Sequence, residues 1–238
     1  MHLNPFQEDS GFLINSDARL TLMPLSGGLD STYLLKRLLC ESDDQLVVFH
    51  LTMANREGRE AVEKQAATAI AQHCISAFRP FSLIEIGLDR RQVSSFGMDM
   101  QTVAFYSGLI QRQFSGKYGR PFDQFYMGGW ATEDDIDPTP TNDGEDRRQL
   151  IIDHGQAGRG FTSRPELKIH DIVSKQEQAE YLGSELVRLC WTCRTPVRDK
   201  QGNHTECSTC KTCEQMKPVR AALGNDFLPE WVTAEAVS

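Results

Sequence analysis

The hexapeptide Ser26-Gly27-Gly28-Leu29-Asp30-Ser31 constrains this chain more than any other feature. It follows an apolar run at 20–25 and precedes a stretch with leucines at helical spacing. Two adjacent glycines let a backbone turn sharply and approach a ligand with no Cβ in the way. The helix that follows offers free backbone N–H groups and the positive end of its dipole, a combination that favours phosphate. Ser26 and Ser31 add hydroxyls. Asp30 beside a polyphosphate needs a cation such as Mg²⁺, or a donor network, to screen the repulsion. No Gly-Lys-Ser/Thr closes the loop, so it is not a Walker A sequence. An ordinary strand-to-helix turn would need only the Gly-Gly pair.

From residue 20 onward, apolar runs at 20–25, 46–51, 83–86, 125–127 and 167–169 alternate with helical patterns at 31–41, 57–74, 99–116, 145–154 and 174–189. That alternation predicts an α/β domain on a mostly parallel sheet. Leu34, Leu35, Leu38 and Leu39 give the first helix one apolar face, and Ala61, Ala66, Ala69 and Ile70 do so for the second. Ser174 with Glu177 has capping-box spacing at the start of 174–189. Residues 1–19 carry no period and read as an extension laid over the core or used at an interface. The segment 131–146 holds seven acidic residues and two prolines, which predicts a long acidic loop. Residues 20–189 form the expected main domain, 190–224 a small module packed on it, and 225–238 a loosely held tail.

Five of the seven cysteines fall in that module, at Cys190, Cys193, Cys207, Cys210 and Cys213. In a chain of cytosolic character such clustering reads as a metal site before it reads as disulfides. Four thiolates at these spacings suit a tetrahedral structural Zn²⁺, and five compete for the four places. Cys190 and Cys193 with Cys207 and Cys210 make one ribbon; Cys193, Cys207, Cys210 and Cys213 make another; His204 is an alternative ligand. Cys40 and Cys74 read as helix packing residues. The net charge of −8 disfavours non-specific nucleic-acid binding. The segment 188–220 is +4 on its own, with seven Lys and Arg against three acids. No run approaches the ~18 apolar residues of a membrane span. The acidic, proline-broken start is unlike a signal peptide, so a cytoplasmic location is expected.

The hexapeptide resembles the SGGxDS loop of the PP-loop ATP-pyrophosphatase superfamily, whose members adenylate a carboxylate or related oxygen and release pyrophosphate. With Trp191-Thr192-Cys193 and the closing Cys207, Cys210 and Cys213, the chain resembles the QueC family, the 7-cyano-7-deazaguanine synthases of queuosine biosynthesis. That resemblance implies a PP-loop, adenine-nucleotide α-hydrolase-like domain with a C-terminal zinc module, and it selects Cys193, Cys207, Cys210 and Cys213 as the ligands. It implies ATP, Mg²⁺ and Zn²⁺ as cofactors. It also implies phosphate contacts from Ser26, Gly27, Gly28, Leu29 and Ser31, and a Mg²⁺ environment at Asp30. Lys175, in a Ser174-Lys175 that is similar to the family's Thr-Lys, becomes the phosphate partner, with Arg56 and Arg59 as weaker ones. Asp134, five residues after Gly129, becomes the group that binds the N–H edge of a guanine-like base.

The implied reaction is adenylation of 7-carboxy-7-deazaguanine and its amidation by ammonia, ending in the nitrile. The chain departs from the family on the acceptor side. It reads 52–59 as Thr-Met-Ala-Asn-Arg-Glu-Gly-Arg, places Phe96-Gly97-Met98-Asp99 ahead of the third helix, and has Met216-Lys217 where an arginine is expected. These departures favour a variant, known from anti-phage operons, that passes the activated deazaguanine to an amine of a partner protein. A PP-loop tRNA-modifying enzyme and a non-catalytic nucleotide-binding module are the other readings. The expected partners are a small-molecule deazaguanine and, in the variant, a protein acceptor, with a homodimer left open.

Overall fold

The computed structural model describes residues 5–6, 12–55, 57–92, 99–127, 144–169, 173–198 and 203–224. Five parallel strands form the sheet: β1 (Leu20–Pro24), β2 (Gln45–Ala54), β3 (Ser82–Asp89), β4 (Gln124–Met127) and β5 (Glu166–Ile169). Their spatial order is β3-β2-β1-β4-β5. The chain thus builds outward on one side of β1, then returns to the other side for β4. Between β1 and β4 lies the switch point where open parallel sheets bind ligands beyond the strand C-termini. The hexapeptide follows β1 directly, so it sits there. The fold is the parallel α/β sheet that the alternating pattern predicts.

Side chains alternate across the sheet and feed two cores. Leu20, Leu22, Val47, Phe49, Ile84 and Phe125 face α3 (Asp99–Tyr118) and α4 (Gly144–Arg159). Met23, Leu46, Val48 and Leu83 face the other side, under α1 (Leu29–Glu41) and α2 (Glu60–Ala77). That second core also takes in α5 (Lys175–Leu182), α6 (Ser184–Leu189) and α7 (Lys211–Leu223). Near-continuous burial on both faces explains why β1, β2 and β4 read as apolar runs, whereas the edge strands β3 and β5 are partly exposed. No helix among the described residues is long and apolar enough to cross a membrane.

Several expectations need correction. The helix expected over 174–189 is two helices, because Gly183 takes φ +78 and ends α5 before α6 begins. The capping box at Ser174 and Glu177 is present. In α2 the buried face is Val62, Ala66, Ala67, Ile70, Ala71 and Cys74; Ala61 is exposed and Ala69 only half-buried. Cys74 packs in the core, whereas Cys40 falls off the leucine face of α1 and is exposed. The acidic segment ends earlier than expected, since α4 starts at Gly144; residues 128–143 lie outside the described residues. Helix α7 and the short hairpin β6 (Val197–Arg198) with β7 (His204–Thr205) give the cysteine module structure that its composition did not announce.

In the N-terminal extension, Phe6 and Phe12 pack edge-on against Phe114 of α3, and the Pro5 carbonyl accepts a bond from Lys117 at 2.9 Å. Helices α3 and α4 touch backbone to backbone. A Cβ on Gly108 would lie 2.2 Å from the Gly155 carbonyl, and one on Gly158 would lie 2.1 Å from the Phe105 carbonyl. Gly108→Ala should therefore force the helices apart and cost about 3 kcal/mol. Thermal unfolding should show Tm lowered by roughly 6–12 °C for a chain of this size; an unchanged Tm would mean the pair is not packed this way.

Candidate functional site

The loop after β1 is closed by its own hydroxyls. Ser31 Oγ accepts from the Ser26 backbone N–H at 3.1 Å and lies 2.9 Å from Ser26 Oγ. Ser26 Oγ accepts from the Gly28 N–H at 3.2 Å, and Thr32 Oγ1 donates to the Gly28 carbonyl at 2.8 Å. Gly27 adopts φ +84 and lies hard against α2, where a Cβ would come within 2.9 Å of the Glu63 carbonyl. Its own carbonyl accepts the Trp191 N–H at 2.8 Å. Helix α1 starts at Leu29 with no side-chain cap, so its first-turn N–H groups stay available.

A cleft of about 930 Å³, counted to its open mouth, lies over this loop. Ser26, Gly28, Leu29 and Asp30 line it; Gly27 and Ser31 stand behind the lining as supports. Leu29 buries its side chain in the core, which leaves its backbone as the part available to a ligand. Lys175, the first residue of α5, donates to both Asp30 oxygens at 2.5 and 2.6 Å. The structure thus brings together the carboxylate expected near Mg²⁺ and the lysine expected on phosphate, 145 positions apart. Asp134 and Arg56 lie outside the described residues.

The opposite wall carries a network that the sequence only hinted at. Arg59 is buried, 6% exposed, and pairs with Glu57, Glu63 and Asp99. Burial works against its charge, but the three carboxylates outweigh it and hold the guanidinium protonated. It is not the solvated arginine that a position after a strand suggests. Burial pushes the Glu63 carboxyl up to about 7, against the pull of Arg59. Asp99 also binds Arg90 at 3.0 Å and meets Arg194 of the cysteine module at 3.5 Å. Leu51, Met53 and Val103 supply apolar lining between these charged ends.

The third wall is the cysteine module itself, through Trp191, Thr192, Arg194, Thr212, Gln215 and Met216. Trp191 is buried against Val62 and Ala66 of α2 and against Cys193 and Cys213. The sulfurs of Cys193, Cys207, Cys210 and Cys213 all lie within 4.8 Å of one another, with separations of 3.5 Å for 193–207 and 4.0 Å for both 207–213 and 193–210. Backbone N–H groups point at these sulfurs: Cys207 N donates to Cys193 Sγ at 3.3 Å and Cys210 N to Cys207 Sγ at 3.2 Å. Burial opposes ionisation of Cys207 and Cys210, but the surrounding donors prevail and lower them to about 5 and about 7. Burial pushes Cys193 up to about 11. Such a donor set, two thiols readily ionised and all four converging, fits one metal ion.

Of the five competing cysteines, Cys190 is the one left out. It is buried in the α1-side core beside Thr32, and burial pushes its thiol up to about 12. His204 turns away as well, accepting from Arg198 in the hairpin at 3.1 Å. All seven cysteines are free thiols. Glu63, Thr212, Gln215 and Arg194 escaped the sequence reading. The Arg59–Glu63 spacing of four was a usable signal, and so was the place of Arg194 next to Cys193.

No family model matches the chain, and no curated protein matches it. Among solved structures it is similar to the U34-tRNA thiolase NcsA from Methanococcus maripaludis with its [4Fe-4S] cluster. The identity is 12% over 84% of this chain and 80% of that one, with a TM-score of 0.32.

The geometry separates the five cysteines by experiment. Cys207→Ser should lose the bound metal, and soluble yield with it, because a structural metal contributes folding free energy. Cys190→Ser should keep full metal content, measured by plasma mass spectrometry on the purified chain. Equal metal loss in both variants would contradict the ligand set.

Proposed function

We propose that this protein adenylates the carboxylate of a deazaguanine-type base with ATP and that ammonia then displaces AMP, the QueC-type reaction leading to 7-cyano-7-deazaguanine. The observation that carries this reading is the pairing of Asp30 with Lys175 in a hydroxyl-closed Gly-Gly loop at the sheet's switch point. A polyphosphate over the loop meets the N–H groups at the start of α1 and the Lys175 ammonium. Asp30, released from Lys175, is the carboxylate that would hold Mg²⁺, which neutralises phosphate charge when bound. Lys175 then takes the leaving pyrophosphate's charge. The cleft is lined on three sides, so the acid and the nucleotide meet as an oriented pair, which removes much of the entropic barrier.

The atoms balance in four steps. A carboxylate oxygen attacks the α-phosphorus and pyrophosphate leaves. Ammonia adds to the acyl carbon and AMP leaves with that oxygen, giving the amide. The amide oxygen attacks a second ATP, again expelling pyrophosphate. Loss of the N–H protons and of AMP then gives the nitrile.

Zinc is our reading of the metal. A single tetrahedral ion with ~2.3 Å bonds sets its four sulfurs about 3.8 Å apart, close to the spacings seen here. An iron–sulfur cube places iron and sulfide atoms among the thiolates and needs them wider apart. The role of the metal is structural: it holds Trp191 and Arg194 in the cleft wall.

The acceptor has a second reading, a protein amine in place of ammonia, favoured by the altered 52–59 segment, whose Glu57 and Arg59 are consumed in the buried ion network. Purified protein given ATP, Mg²⁺, 7-carboxy-7-deazaguanine and ammonium should release the nitrile, seen by mass spectrometry. Asp30→Ala should abolish this with the circular dichroism unchanged, and Lys175→Ala should lower kcat by about 100-fold or more. A partner protein gaining a deazaguanine-sized adduct, with little nitrile, would instead establish the conjugation reading. Turnover of ATP to ADP and phosphate would overturn both.

A further inference from the structure

We propose that Arg194 is the anchor for the substrate's carboxylate and leaves Asp99 when a flat, anionic heteroaromatic acid enters the cleft; this deepens the functional reading above and rests on it. Among the described residues, three cationic side chains line the cleft: Lys175, Arg59 and Arg194. Lys175 is gripped by both oxygens of Asp30, and Arg59 is buried among three carboxylates. Arg194 alone of these three is held loosely. Its side chain is 55% exposed and meets Asp99 through one nitrogen at 3.5 Å.

Release of Arg194 costs little, for two reasons. An exposed, single-point ion pair contributes at most about 1 kcal/mol. Asp99 is also left with partners, because Arg90 stays on one of its oxygens at 3.0 Å and Arg59 on the other. Neither of those buried arginines has the same freedom. The backbone of Arg194, meanwhile, is held beside the cysteine cluster, because it follows Cys193 directly. A fixed backbone with a free guanidinium is well suited to close on an incoming carboxylate in the two-point geometry that arginine favours.

The class of ligand follows from what lies nearby. Leu51, Met53 and Val103 provide an apolar surface for a ring, and the loop with Lys175 already serves the polyphosphate. Bringing a carboxylate to a triphosphate sets two anions against each other, and a guanidinium on the carboxylate reduces that repulsion. One carboxylate oxygen stays on Arg194 while the other attacks the α-phosphorus and pyrophosphate departs.

The test is calorimetric titration of the metal-loaded full chain with 7-carboxy-7-deazaguanine and with its uncharged nitrile counterpart. Arg194→Ala should weaken the acid by about 10- to 100-fold, the worth of a charge-assisted pair. It should leave the nitrile's affinity and the metal content unchanged, and Arg194→Lys should fall between. Equal affinity for the acid in wild type and Arg194→Ala overturns the anchor while leaving the functional reading intact. Wild type that binds neither deazaguanine overturns the substrate instead. ATP–pyrophosphate exchange is then run with a panel of other heteroaromatic carboxylates. Exchange that requires Arg194 upholds the anchor; exchange indifferent to it, or none with any acid, overturns it.

Discussion

Gly27 sits where the nucleotide loop, helix α2 and the cysteine module meet, and its backbone serves all three. Its left-handed φ turns the chain from β1 into α1, and its Cα lies where a Cβ would strike the Glu63 carbonyl and the Ala67 nitrogen. Its carbonyl is the acceptor for the Trp191 N–H. Trp191 in turn packs on Val62 and Ala66 and donates its indole N–H to the Cys193 carbonyl at 2.8 Å. The loop at 26–31 is thereby fixed from behind by the cysteine module. The cysteine cluster also adjoins the cleft: Thr192 and Arg194 on either side of Cys193, and Thr212 beside Cys213, line its wall.

The cleft's electrostatics follow from how unequally its charges are engaged. Arg59 and Arg90 are buried, and both pair with Asp99. Lys175 and Asp30 neutralise each other and are only partly buried, so each is free to exchange partners with a ligand in the cleft. Such a site carries its charges ready-made and pays little to reorganise them.

Much of this was legible in the sequence, and what was not has identifiable causes. The central strands were readable because parallel strands buried on both faces become continuous apolar runs, and the partly exposed edge strands β3 and β5 still keep short ones. The loop was readable because the whole hexapeptide at 26–31, and not its Gly-Gly pair alone, stands between a strand and a helix. Residues 190–224 were readable as a cysteine framework but not as helix α7. Pro218 lies inside that helix, and polar residues dominate its first turns; tertiary packing of Met216 and Val219 into the α1-side core outweighs that weak propensity. The split at Gly183 was hidden because a helical pattern continues on both sides of it. The Asp99 network was invisible for a different reason. Arg59, Asp99 and Arg194 lie far apart in sequence, and only the crossing of α2, α3 and the cysteine module brings their charges together.

The central claim is that a substrate carboxylate attacks the α-phosphorus of ATP held on the loop at 26–31. Isotope transfer tests it most directly. With ¹⁸O in both carboxylate oxygens of the acid and unlabelled water, the account predicts AMP bearing one ¹⁸O on its phosphate and unlabelled pyrophosphate. AMP without label, or ADP in place of AMP, would contradict it.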